Sequence, residues 1–210
     1  MESVDCLTPE VVRLLGDVRG KRILELGIAQ DCVSPTLAAQ GASPVLVEES
    51  AEKVLRLKRN EQLNELRFEV RQGKLADLAF CPAESIDIAF SVIALAGTAD
   101  LARVFRQLQR VLRVQGALIF GLIHPLAFLK YQLLSADEPI SYRSKALVDA
   151  NKLTCSFPVP LPEKVRSVSF GEAFSQLKRT GFSIDQMPEI PQESSDAGPD
   201  PTILLFRARK

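Results

Sequence analysis

Along the chain, short runs of consecutive apolar residues alternate with longer stretches whose apolar positions recur every three or four residues. The runs fall at 23–26, 44–48, 68–71, 86–91, 117–123, 182–187 and 202–209. Runs this short, bounded by turn residues, predict strands, and the near-continuous ones predict strands buried on both faces. The helical periodicity covers 9–15, 51–66, 100–112 and 169–180. Strand and helix in alternation predict an α/β chain.

The stretch 22–41 organises the rest. Ile23, Leu24 and Leu26 form the first strand, and Gly27 permits a sharp turn that a residue with a Cβ would resist. Ser34-Pro35 then signals a helix start, with Ser able to cap free amides and Pro suited to the first helical position. Gly41 ends that helix. Strand, tight turn and helix make a ligand crevice at the carboxyl end of a parallel strand.

These residues carry a resemblance. Glu25-x-Gly27-x-Ala29-x-Asp31 resembles, without gaps, the Asp/Glu-x-Gly-x-Gly-x-Gly motif of the class I S-adenosylmethionine-dependent methyltransferases, with one of the three glycines kept. The resemblance runs over 21–210 and is nearest the small-molecule branch that includes the ubiquinone and menaquinone biosynthesis type. Arg110-Val111-Leu112-Arg113-Val114-Gln115-Gly116 is similar to that family's Arg-Val-Leu-Lys-Pro-Gly-Gly. It implies a Rossmann-like, doubly wound sheet of seven strands in the order 3-2-1-4-5-7-6, mostly parallel, with an antiparallel last strand.

The same resemblance implies S-adenosylmethionine as cofactor and places Glu25, Gly27, Ala29, Glu48, Glu49, Lys74, Leu75 and Ser91 around it. Glu48 falls where the family keeps an acid that accepts from both ribose hydroxyls, with Glu49 the fallback if the register slips by one. A carboxylate offers two acceptor oxygens, which suits a vicinal diol. Alternatively, Glu48 stabilises the start of the next helix. Lys74 stands where the family's Asp faces the adenine amino group, and an ammonium has no acceptor to offer; Asp77, three positions on, is either a substitute or an ordinary loop residue. The segment 92–97 after the fourth strand carries no proton acceptor.

No catalytic residue is assigned. His124, the only histidine, follows the fifth strand in a His-Pro pair seen in relatives of this branch. Its ordinary pKa lies near neutrality, so it is either a base facing substrate or a strand-end histidine bonded to backbone. The irregular stretch 125–166, with Tyr131, Tyr142, Lys130 and a proline-rich run at 157–162, reads as a lid or substrate-recognition insertion in a single domain spanning 1–210. The acidic segment 188–201 reads as a mobile loop.

Composition narrows the function. With 26 basic and 26 acidic residues among 210, the chain has no global charge to attract nucleic acid. Arg103, Arg106, Arg110 and Arg113 share a face of the helix at 100–112, which reads first as a solvated stripe. Four scattered cysteines and one histidine predict no metal site and free thiols in a cytoplasmic protein, and no apolar run suggests a membrane span. Two functions follow: methyl transfer to a small-molecule acceptor, or a catalytically inactive pseudo-methyltransferase acting as a binding or scaffold partner of another protein. A nicotinamide-dependent oxidoreductase fits less well, because the phosphate turn needs Gly-x-Gly-x-x-Gly.

Overall fold

Five parallel strands build the first half of the sheet: β1 (Arg22–Leu26), β2 (Ser43–Glu48), β3 (Glu69–Gln72), β4 (Ile86–Ser91) and β5 (Leu112–Ile123). The computed structural model describes residues 8–28, 32–59, 68–134, 141–142, 146–191 and 200–210. A separate antiparallel pair, β6 (Leu147–Asp149) and β7 (Lys164–Arg166), follows. Then come β8 (Ser183–Gln186), β9 (Glu189–Pro191) and β10 (Pro201–Arg209). The main path across the sheet is β3-β2-β1-β4-β5-β10-β8, the order expected, with β10 antiparallel to both neighbours. An eighth strand, β9, pairs with β10, where the sequence predicts the start of a mobile loop; 192–199 lie outside the described residues.

The helices are α1 (Pro9–Leu15), α2 (Ser34–Ala39), α3 (Ala51–Arg59), α4 (Leu101–Val111), α5 (Pro125–Leu134) and α6 (Phe170–Arg179). Their starts follow the local chemistry. Thr8 caps α1 by accepting from the Val11 amide, Asp100 caps α4 through the Arg103 amide, and Ser169 caps α6 through the Glu172 amide.

Two apolar layers cover the sheet. One joins α1, α5 and the β6–β7 hairpin to Ile23, Ile88, Phe90, Ile119 and Leu205. The other joins α4 and α6 to the opposite faces of the same strands. Phe120 and Phe206 stack there with ring centroids 4.9 Å apart, and Phe105 packs on Phe120 at 5.2 Å. β5 begins five residues earlier than its apolar run, because Leu112 already pairs with Ile86 before a register shift; Gln115 (φ +65°) and Gly116 form the irregularity. Arg113 therefore sits in β5, not on the helix.

Candidate functional site

The carboxyl ends of β1 and β2 lie side by side, with Leu26 in register with Val47. Gly27 turns the chain there at φ +66°, and its amide donates to the Val47 carbonyl at 2.7 Å. Two carboxylates are buried under this turn. Glu48 accepts the Ile28 amide on one oxygen and the Ser50 amide on the other, both at 2.8 Å. Glu25 accepts the Val33 amide at 2.9 Å, and both the amide (2.7 Å) and the hydroxyl (2.5 Å) of Ser34. Ser34 therefore caps nothing itself: it is the first residue of α2, and Glu25 across the turn supplies the capping oxygens. Burial pushes the Glu25 carboxyl up to about 7; the bonds from Ser34 and Val33 oppose that rise, and the neighbouring Glu48 adds to it.

Two apolar side chains sit directly on the turn. A Cβ built on Gly27 would lie 2.7 Å from the Ala94 methyl and 3.2 Å from Leu75 Cδ1. The Leu75 amide donates to Glu49 at 2.9 Å, so the exposed Glu49 holds the loop after β3 in place. Lys74 beside it is exposed, and Asp77 accepts the Ala79 amide within its own turn. Thus Glu25, Gly27, Glu48, Glu49 and Leu75 converge, while Lys74 faces solvent. Ala29 and Asp31 lie outside the described residues.

The neighbouring ends of β4 and β5 are built differently. Ser91 is buried, and its hydroxyl accepts the Leu95 amide at 3.3 Å. The chain then crosses β5: a Cβ on Gly121 would lie 1.9 Å from the Val92 carbonyl oxygen. The short 3-10 turn Ala94–Gly97 follows, pressed from outside by β7, whose Lys164 carbonyl oxygen comes within 2.8 Å of a Cβ built on Gly97. Arg166, also on β7, is buried and donates to the Thr98 carbonyl (3.0 Å) and to Glu172 (3.3 Å). Glu172 accepts from Gln176 as well, at 3.0 Å.

His124 closes this side. Its Nδ1 accepts the Leu126 amide at 3.1 Å, and its Nε2 faces Glu189 on β9 at 3.2 Å. Phe170 packs edge-on at 5.4 Å. Both ring nitrogens are engaged, so the imidazole joins the start of α5 to β9.

The arginine stripe divides. Arg103 and Arg106 are exposed, Arg110 donates to the Leu78 and Cys81 carbonyls, and Arg113 pairs with Asp87. Among the described residues no cluster suits a metal ion, and no helix is long and apolar enough to cross a membrane.

Comparison with known proteins places this geometry. Residues 24–120, from β1 into β5, match the methyltransferase-domain family. Over those residues the chain is similar to a methyltransferase domain. An uncharacterized methyltransferase, YbaJ, of Bacillus subtilis is 26% identical over 112 residues, covering 53% of this chain and 44% of its own length. The chain thus matches less than half of that curated relative. An S-adenosylmethionine-dependent methyltransferase of Mesorhizobium loti superposes with a TM-score of 0.76 at 22% identity, over 96% of both chains. A Burkholderia thailandensis 1,6-didemethyltoxoflavin N1-methyltransferase, holding its substrate and S-adenosylhomocysteine, gives 0.64 at 15% identity, over 99% of this chain and 79% of its own. These matches agree with the family resemblance carried by the motif at 25–31 and bear out the fold expected from it.

Sequence reasoning missed four participants. The sequence reads Ser34 as a cap for its own helix, Arg166 as part of an irregular stretch and Glu189 as mobile, and it assigns Lys53 no role. Lys53 donates to the Ile28 carbonyl at 2.7 Å. Only Ser34 carried a usable signal, its position nine residues after the motif acid.

Proposed function

We propose that this chain binds S-adenosylmethionine at the Gly27 turn and transfers its methyl group to a small-molecule acceptor. One observation carries the reading: a left-handed Gly27 and a buried Glu48 stand side by side at the carboxyl ends of β1 and β2, inside the matched segment 24–120. Each Glu48 oxygen receives one backbone donor and keeps a lone pair, so the pair of ribose hydroxyls fits it. Bound there, the cofactor supplies a methyl group on an electrophilic sulfonium. What the protein must add is alignment of an acceptor atom with that methyl and exclusion of water.

The chain's own residues divide this work. Gly27 and Glu48 hold the nucleoside, Glu25 keeps the turn and the start of α2 in place, and Leu75 and Ala94 withdraw from Gly27 to admit it. Ser91 and the 3-10 turn face the reacting end, and the segment 125–166 covers the acceptor as a lid within a single domain. His124, with both ring nitrogens engaged, positions α5 against β9 rather than accepting a proton. The acceptor therefore arrives already nucleophilic, and any proton it carries leaves after the methylated product is released. The Burkholderia thailandensis enzyme, with bound 1,6-didemethyltoxoflavin, supports a small-molecule acceptor. A cytoplasmic setting belongs to the same reading and rests on Cys81 and Cys155, which are in no disulfide.

A second reading has its own support. Leu75 and Ala94 pack where the cofactor would lie, and Lys74 cannot accept from adenine, which favours a binding or scaffold protein that keeps the fold without the chemistry. Calorimetric titration with S-adenosylmethionine and S-adenosylhomocysteine separates the two. Micromolar binding, weakened about tenfold or more by Glu48→Ala, is the expected result. Absence of heat and of thermal shift up to millimolar ligand overturns the enzyme reading and leaves the scaffold.

A further inference from the structure

Lys53 stands out among the basic residues of α3. Arg56, Lys58 and Arg59 are exposed, as the periodicity predicts, whereas Lys53 is half-buried. Its ammonium points back toward the sheet and donates to the Ile28 carbonyl at 2.7 Å. Ile28 is thus held at both of its backbone groups by side chains from the end of β2 and from α3: Glu48 takes its N–H and Lys53 its C=O. Its own side chain is buried with Leu46 and Leu57 in a small cluster apart from the main core. Gly27, immediately before it, is left-handed and tied to Val47.

We infer that Lys53 is a positioning residue for the cofactor turn: with Glu48 it clamps Ile28, so that the Gly27–Ile28 backbone is preset for the nucleoside. The inference rests on the methyltransferase reading. Its chemistry is simple. The motif at 25–31 keeps one glycine, Gly27, where the resembled family has three. A charge-assisted bond to the carbonyl of Ile28 supplies from outside a constraint on the turn. A surface lysine with only a stabilising role would change melting temperature without changing cofactor affinity.

The test compares wild type, Lys53→Met and Lys53→Arg. Methionine keeps an unbranched stem and removes the donor; arginine keeps the charge and the reach. Titration with S-adenosylmethionine is expected to show about tenfold weaker binding for Lys53→Met, the loss of one charged hydrogen bond, with melting temperature nearly unchanged. Lys53→Arg is expected to recover most of that affinity. Amide hydrogen exchange, read without cofactor, is expected to quicken at Ile28 in Lys53→Met alone. Equal affinity and equal Ile28 exchange in Lys53→Met and wild type overturn the clamp. If wild type itself fails to bind, the methyltransferase reading falls, and unchanged exchange at Ile28 would take the clamp with it, whereas faster exchange would keep the clamp as a feature of the turn alone.

Discussion

At the carboxyl edge of the sheet, the β1–β2 side and the β4–β5 side solve the same packing problem by opposite means. On the first, three carboxylates hold backbone: Glu25 takes the amides of Val33 and Ser34, Glu48 those of Ile28 and Ser50, and Glu49 that of Leu75. On the second, segments approach because side chains are missing: Gly121 lies under the Val92 carbonyl and Gly97 under that of Lys164. One side is organised by charge and hydrogen bonds, and the other by contact. The first should answer to pH and to isosteric amide substitutions, the second to the addition of single methyl groups.

Gly121→Ala should give the largest effect. The new Cβ would fall 1.9 Å from a backbone oxygen, and neither strand β5 nor the crossing chain can give way without breaking sheet pairing. The expected loss is about 3 kcal/mol or more, read as the shift in urea midpoint. Gly171→Ala, where a Cβ meets nothing within 4 Å, is the control and should stay within about 1 kcal/mol of wild type. A Gly121→Ala variant as stable as Gly171→Ala would mean that contact does not govern the β4–β5 side.

The β1–β2 side is tested through Glu25. Its carboxyl is raised from 4.5 to about 7 in the folded protein. Between those values the folded chain keeps a proton that the unfolded chain has lost, so stability falls as pH rises through this window, by about 3 kcal/mol in all. Above pH 7 both states are ionised and the penalty is complete. Glu25→Gln cannot titrate. The stability of wild type relative to Glu25→Gln should therefore decline from pH 4.5 to 7 and then level off, measured by denaturant midpoints across pH. A constant offset would place the ionisation of Glu25 elsewhere.

The same contrast explains what could be read from the chain. The strand order followed from the family resemblance carried by the motif at 25–31, and the strand positions from the apolar runs, because central strands buried on both faces leave an uninterrupted signature. The place of Glu48 beside the Gly27 turn was legible, because an acid ending β2 lies about 20 residues beyond that turn. The contact side was not legible. That Gly121 matters depends on the carbonyl of Val92, and three-residue β9 has no period to detect. Polar partners separated by long stretches, such as His124 with Glu189 or Arg166 with Thr98, also leave no local pattern. Lys53 was hidden for another reason: a lysine on an amphipathic helix reads as solvated until the fold shows which way it reaches.

The smallest expected effect concerns Glu49, where the two sides meet. Its carboxylate holds the Leu75 amide, and Leu75 in turn packs with Ala94 over Gly27. If the loop after β3 must lift for the nucleoside to enter, this bond opposes entry. Glu49→Ala should then raise affinity for S-adenosylmethionine about threefold, the equivalent of one modest hydrogen bond. Were Glu49 instead a ribose acceptor in place of Glu48, the same substitution would lower affinity. The direction of a small change, read by calorimetry on one variant, therefore decides which glutamate faces the cofactor and whether the polar side holds its own entrance shut.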